Sequence, residues 1–169
     1  MKLVLFFIAL IFSANSFALN IVFVTPSFPG NPFWDRASAV ALACANNLNI
    51  NLSIVYGKNN RIQQYETVKK ITLSQLKPDY VIFSPYGGTA IGEFTLLNDA
   101  KIPFVTLERT LGKNEAEQIG LPQTKYGNWL GEIYHDNKSA GKLLADELFS
   151  QFQLANKTFN KEINIVEID

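Results

Sequence analysis

Cysteine and histidine are nearly missing from this sequence, with one of each among 169 residues. A lone Cys44 excludes an internal disulfide framework, and a lone His135 leaves no Cys/His set to hold a metal. Net charge is missing as well. The 15 basic and 15 acidic side chains cancel, which removes the electrostatic reason to propose nucleic acid or an anionic membrane surface as a partner. Three fingerprints are absent: the G-x-x-x-x-G-K-[ST] phosphate loop, a G-x-G-x-x-G turn and a G-x-S-x-G nucleophile elbow. Neither a repeat nor a low-complexity tract interrupts an otherwise ordinary globular composition.

Long apolar runs are confined to the start. Lys2 precedes Leu3 to Phe12, and small and polar residues follow, ending Ser16-Phe17-Ala18. A basic start, a short apolar centre and small residues at the −3 and −1 positions make a secretory signal peptide, cut after Ala18. The run has about half the length that spans a bilayer. No cysteine stands at the cut to take a lipid. An exported chain that lacks disulfides fits a bacterial periplasm, where the N-x-S/T triplets at Asn51, Asn137 and Asn156 carry no meaning. Cys44 lies in Ala-Val-Ala-Leu-Ala-Cys-Ala and is expected on a buried helix face.

From Asn20 onward, strand-like and helix-like segments alternate. Asn20 to Thr25, Leu52 to Tyr56, Tyr80 to Ser84 and Phe104 to Leu107 read as strands. Helices are expected from Pro32 to about Asn47, with Asn31 as cap and Pro32 in first place, from Ile62 to Leu76, and from Thr89 to Asp99. The strands are continuous apolar runs, the mark of a parallel sheet covered on both faces, so the expected fold is α/β and doubly wound. Thr110 to Asn128 reads as a long surface loop. Trp129 to Tyr134 is strand-like, Asp136-Asn137 cap a helix to about Phe152, and Ile163 to Ile168 is a further strand.

Ligands of such sheets bind at the carboxyl ends of the strands. There the sequence places Thr25 to Trp34, Gly57 to Arg61, Ser84 to Gly88 and Glu108-Arg109. Asn31-Pro32-Phe33-Trp34 is either a capped helix start that plugs a core or an aromatic platform. Glu108-Arg109 directly follows a buried strand, which favours a binding role over an exposed ion pair. Pro85-Tyr86-Gly87-Gly88 reads as a turn into a helix. His135 beside Asp136 invites a proton relay, yet no nucleophile motif accompanies it, and it reads better as a residue of a hinge region. Aromatic faces, an amide, a carboxylate and a guanidinium without a nucleophile–base set suit the binding of a polyol and require no cofactor.

These residues resemble the bacterial type 1 periplasmic sugar-binding proteins of the ribose-binding kind. The resemblance rests on N-P-F-W after the first strand, I-P-F-V-T-L-E-R at the fourth and H-D-N-K-S-A-G entering the next helix. It implies two α/β lobes joined by crossovers, a sugar held between them, and delivery to an inner-membrane ABC permease. It also implies that Asn31, Phe33, Trp34, Glu108 and Arg109 bind the ligand, that His135, Asp136 and Asn137 mark the hinge, and that the protein is a monomer. The acid is Glu108 where the family often has the shorter Asp. Family members run to about twice this length, so a fragment is expected, poorly stable alone. It comprises a signal peptide (1–18), an amino-terminal lobe lacking its late-returning strand (19–134), and the start of a second lobe (135–169). A sensory receptor for a sugar or a sugar-like autoinducer, coupled to a sensor kinase or chemoreceptor, is the nearest alternative. An exported α/β enzyme is a more distant one. A repressor with the same body would begin with a DNA-binding motif, not a signal peptide. N-terminal sequencing of the exported product is expected to begin at Leu19; a product that retains Met1 refutes the leader.

Overall fold

The computed structural model describes residues 18–108 and 111–155. The expected signal peptide and the strand at Ile163 to Ile168 lie outside these, apart from Ala18. The order is β1 (Asn20–Thr25), α1 (Pro32–Asn47), β2 (Asn51–Tyr56), α2 (Arg61–Leu73), β3 (Tyr80–Phe83), α3 (Ala90–Asp99), β4 (Phe104–Leu107), α4 (Lys113–Ile119), β5 (Trp129–Ile133) and α5 (Asn137–Ala155). The sheet has five strands in the order β2-β1-β3-β4-β5, and every pairing is parallel. Strict β–α alternation produces this arrangement, because each crossover helix must pack back on the sheet before the next parallel strand begins. The described residues fall into two compact units, divided between Tyr134 and His135.

In the first unit the core lies on one sheet face. Val24, Val81, Phe83, Phe104 and Trp129 meet Val68 of α2, Ala90, Phe94 and Leu97 of α3, and Ile119 of α4. Phe94 is its centre. Its ring makes edge-on contacts with Phe83, Phe104, Tyr126 and Trp129, with centroids 5.8, 5.2, 5.4 and 4.8 Å away. Such pairs add attraction beyond burial alone. The Trp129 indole N–H donates to Thr106 Oγ1 at 3.1 Å and to the Gly131 carbonyl at 2.8 Å, so the largest buried side chain leaves no unpaired donor.

The opposite face carries α1, docked by Trp34 edge-on to Phe23 at 6.3 Å. Between α1 and the outer strands lies an apolar groove of about 820 Å³, lined by residues that include Phe23, Ile82, Val105, Leu107, Ala37 and Val40. Among the described residues α1 is the helix against this groove.

Three expectations are corrected. The segment after Thr110 is not only a surface loop, since it forms α4 and buries Ile119 and Tyr126. At seven residues α4 is too short to show a helical period in sequence. Helix α2 stops at Leu73, where Ser74 turns extended (φ −62°, ψ 142°) and donates its hydroxyl to the Leu76 carbonyl at 3.0 Å. Cys44 is exposed, because α1 turns Ser38 and Ala45 inward instead. In the second unit, Asp136 caps α5, accepting from the Ser139 amide at 3.0 Å and its hydroxyl at 2.6 Å.

Truncating Phe94 removes four aromatic contacts at once. Phe94→Ala is expected to lower unfolding free energy by about 3–5 kcal/mol, whereas Leu76→Ala, at a side chain 90% exposed, changes it by less than about 0.5 kcal/mol. Urea titration of both variants checks the contrast.

Candidate functional site

The strand order reverses at β1, which has β2 on one side and β3, β4 and β5 on the other. Loops that leave neighbouring strands in opposite senses open a crevice at the carboxyl edge there. A hollow of about 290 Å³ occupies it, lined by Pro26, Phe33, Trp34, Asn59, Ser84, Pro85, Tyr86 and Glu108. Each of the first four strands therefore contributes through the loop after it.

The N-P-F-W stretch builds one wall. Asn31 is extended (φ −78°, ψ 117°), and its side-chain oxygen accepts from the amides of Phe33 and Trp34 at 3.1 Å each. Pro32, which has no amide to satisfy, follows it. Asp35 reaches back to the Gly30 amide at 2.8 Å, and Gly30 adopts φ +99°, a conformation that L side chains rarely take. Phe33 stands 53% exposed and edge-on to Trp34 at 5.1 Å. Trp34 presses on the core Phe23, and Phe33 and Trp34 both face the hollow.

The opposite wall is the segment after β3. The Tyr86 hydroxyl donates to the Pro26 carbonyl at 3.0 Å, and the Ser84 hydroxyl donates to the Glu108 carbonyl at 3.3 Å. These bonds tie the loops after β1, β3 and β4 together. Burial, with a smaller contribution from Glu93, raises the Tyr86 phenol above its ordinary range, so it stays a donor. Glu108 is left-handed (φ +55°), a turn that ends β4 and starts the next loop at the edge of the hollow.

Beneath this wall lies a buried pair. Gln64 and Glu93 are both fully buried, and Gln64 Nε2 donates to the Ser84 carbonyl at 2.8 Å and to Glu93 Oε1 at 3.2 Å. Burial pushes the Glu93 carboxyl up to about 8, the nearby Glu115 charge adding to it while Gln64 and the Tyr86 amide act the other way.

The structure brings Phe33, Trp34 and Glu108 into one hollow and leaves Asn31 out of its lining, its side-chain oxygen committed to the helix cap. Arg109 lies outside the described residues. His135, Asp136 and Asn137 begin the second unit. The Asp136 carboxyl is held below its ordinary range by the Ser139 hydroxyl and amide, the bonds by which it caps α5. Sequence reasoning named the loops after β2 and β3 but passed over Asn59, Ser84 and Tyr86 as lining. The available signal was their position at strand ends. Among the described residues no group of three or more His, Cys, Asp and Glu side chains could hold a metal, and no helix is long and apolar enough to cross a membrane.

Comparison with solved structures identifies this architecture as one lobe of a type 1 periplasmic binding protein fold. A periplasmic sugar-binding protein from Pseudomonas fluorescens superposes with a TM-score of 0.63 at 20% identity, over 79% of this chain and 37% of that one. The periplasmic component of an ABC-type sugar transport system from Hahella chejuensis gives 0.58 at 20% identity, over 85% and 46%. A solute-binding protein from Actinobacillus succinogenes 130z, with bound D-allose, gives 0.52 at 22% identity, over 62% and 35%. The chain therefore spans less than half the length of these structures. No protein-family profile matches it, and no curated protein sequence does.

The cap on α1 is directly testable. Asn31→Ala is expected to cost about 1 kcal/mol, and Asn31→Asp, which keeps the accepting oxygen, almost nothing. Chemical unfolding compares the two, and equal losses would show that the side chain does more than cap.

Proposed function

We propose that this chain is the amino-terminal lobe, and the opening of a second lobe, of a periplasmic receptor for a sugar or sugar-like ligand. The receptor hands its ligand to an ABC permease. The observation that carries this reading is the shared hollow: Phe33, Trp34 and Glu108 meet at the switch point of a sheet whose fold is that of the sugar-binding proteins.

A sugar ring has C–H faces and a rim of hydroxyls, and the hollow offers surfaces for both. The aromatic rings take the C–H face. Glu108 accepts from hydroxyls, and the Arg109 guanidinium donates to neighbouring oxygens in a fork. Asn31 contributes its amide nitrogen, since its oxygen is used by α1. Asn59 and Tyr86 complete the lining. In the whole protein the second lobe closes over the bound ring about His135, Asp136 and Asn137, and closure signals occupancy to the membrane partner. The function is binding, not turnover, as in the structural neighbours. The leader places the protein in the periplasm, with the first lobe running from residue 19 to 134.

In the intact protein, Trp34→Ala and Arg109→Ala are each expected to weaken binding by at least about tenfold, through lost stacking and a lost charge-assisted fork. Titration calorimetry with D-ribose, D-allose, D-galactose and D-glucose measures it. Affinities unchanged in both variants would refute the assignment.

A further inference from the structure

The buried pair beneath the Ser84–Tyr86 wall has an unusual imbalance. Gln64 Oε1 and Glu93 Oε2 are both buried without a hydrogen-bond partner among the described residues. The other two polar atoms of the same side chains are bonded to each other, Gln64 Nε2 to Glu93 Oε1 at 3.2 Å. With Glu93 ionised, both orphan oxygens are acceptors only, and leaving them buried and unpaired is costly. A single proton resolves both. A carboxylic acid and a carboxamide have complementary edges: the acid carbonyl takes the amide N–H, and the acid O–H is donated to the amide carbonyl.

We propose that Glu93 is a positioning residue of the ligand hollow, carrying a proton on Oε2 that it donates to Gln64 Oε1. The closed acid–amide pair sets the height of the Ser84–Tyr86 wall. This rests on reading the hollow as the ligand site. The path is short. The second Gln64 Nε2 hydrogen holds the Ser84 carbonyl at 2.8 Å, the Ser84 hydroxyl bridges to the loop bearing Glu108, and Tyr86 bridges to Pro26. Gln64 itself has little freedom. A Cβ built on Gly57 would sit 2.8 Å from Gln64 Oε1, so backbone closes off that side.

Burial and the acidic Glu115 favour a neutral Glu93, against the Gln64 amide and the Tyr86 backbone N–H, which favour the charged form. Tyr86 lies on the wall above it, and Glu115 of α4, which accepts from the Gly88 amide at 2.8 Å, adds negative charge. From α2, Tyr65 packs against Gly92, and the Arg61 guanidinium lies at Gly88, 3.2 Å from where a Cβ would stand. The sign of the pH effect follows. Because the fold prefers the neutral form, its stabilisation is whole below the ordinary carboxyl value of 4.5 and erodes as the unfolded chain ionises with rising pH. The folded site loses the proton only as pH passes about 8.

Two measurements on the intact protein test this. Infrared difference spectra, wild type minus Glu93→Gln, are expected to show a protonated carboxyl band at about pH 7 that disappears as pH rises through about 8. In calorimetry, with whichever of D-ribose, D-allose, D-galactose and D-glucose binds the wild type most tightly, Glu93→Leu weakens binding by at least about tenfold. The conservative Glu93→Gln, which keeps a donor at that atom, rescues affinity and removes the fall seen in the wild type above about pH 8. Absence of the band overturns the proposal, as does a pH profile that Glu93→Gln leaves unaltered. If Glu93→Leu does not fold, the band and the Glu93→Gln profile still decide. A wild type that binds none of the four sugars removes the ligand reading and the positioning role with it, and the band then judges the proton alone.

Discussion

Phe94 is the constraint on which the first unit turns. A ring in edge contact with four other aromatics, from β3, β4, β5 and the approach to β5, locks α3 against three strands at once. Edge-to-face geometry is directional, unlike the packing of aliphatic side chains, so it fixes the rotation of the helix as well as its distance. Once Phe94 points into the core, its neighbour Glu93 is carried round the helix toward α2 and the carboxyl edge of the sheet, where Gln64 meets it. Core and site support are thus consecutive residues on one helix.

The two faces of the sheet divide the work. The face under α2, α3 and α4 supplies the stability, with its core residues almost wholly buried. The face under α1 is more open, and there the aromatic wall meets the sheet through the edge contact of Trp34 with Phe23. The aromatic wall is anchored on the lightly covered face, while the Ser84–Tyr86 wall is hydrogen-bonded to Gln64 and Pro26.

Much of this was legible from residues alone, for identifiable reasons. Continuous β-branched runs announced parallel strands, and Asn31-Pro32 announced a helix start that the side-chain oxygen of Asn31 does cap. The strand-end rule led to Phe33, Trp34 and Glu108, which do share a hollow. Glu93 escaped because an acidic residue in the first turn of a helix is ordinarily a solvated partner of the helix dipole. Its burial depends on how α2 lies across α3, which no local pattern encodes. Tyr86 looked like part of a turn because its bond to Pro26 spans 60 residues. Cys44 misled in the other direction, since an alanine-rich stretch gives little contrast between the faces of a helix.

Gly57 is not among the residues that line the hollow, yet it has almost no room to vary. Its amide donates to the Thr25 carbonyl at 2.7 Å, and a methyl group there would lie 3.0 Å from that same oxygen and 2.8 Å from Gln64 Oε1. The one flexible neighbour that could yield is the side chain that carries the Ser84 wall. In evolutionary terms positions 57 and 64 form a single character. A lineage that acquires a side chain at the first must shorten or turn the second, and its loop after β3 will then sit differently although every residue facing the hollow is unchanged.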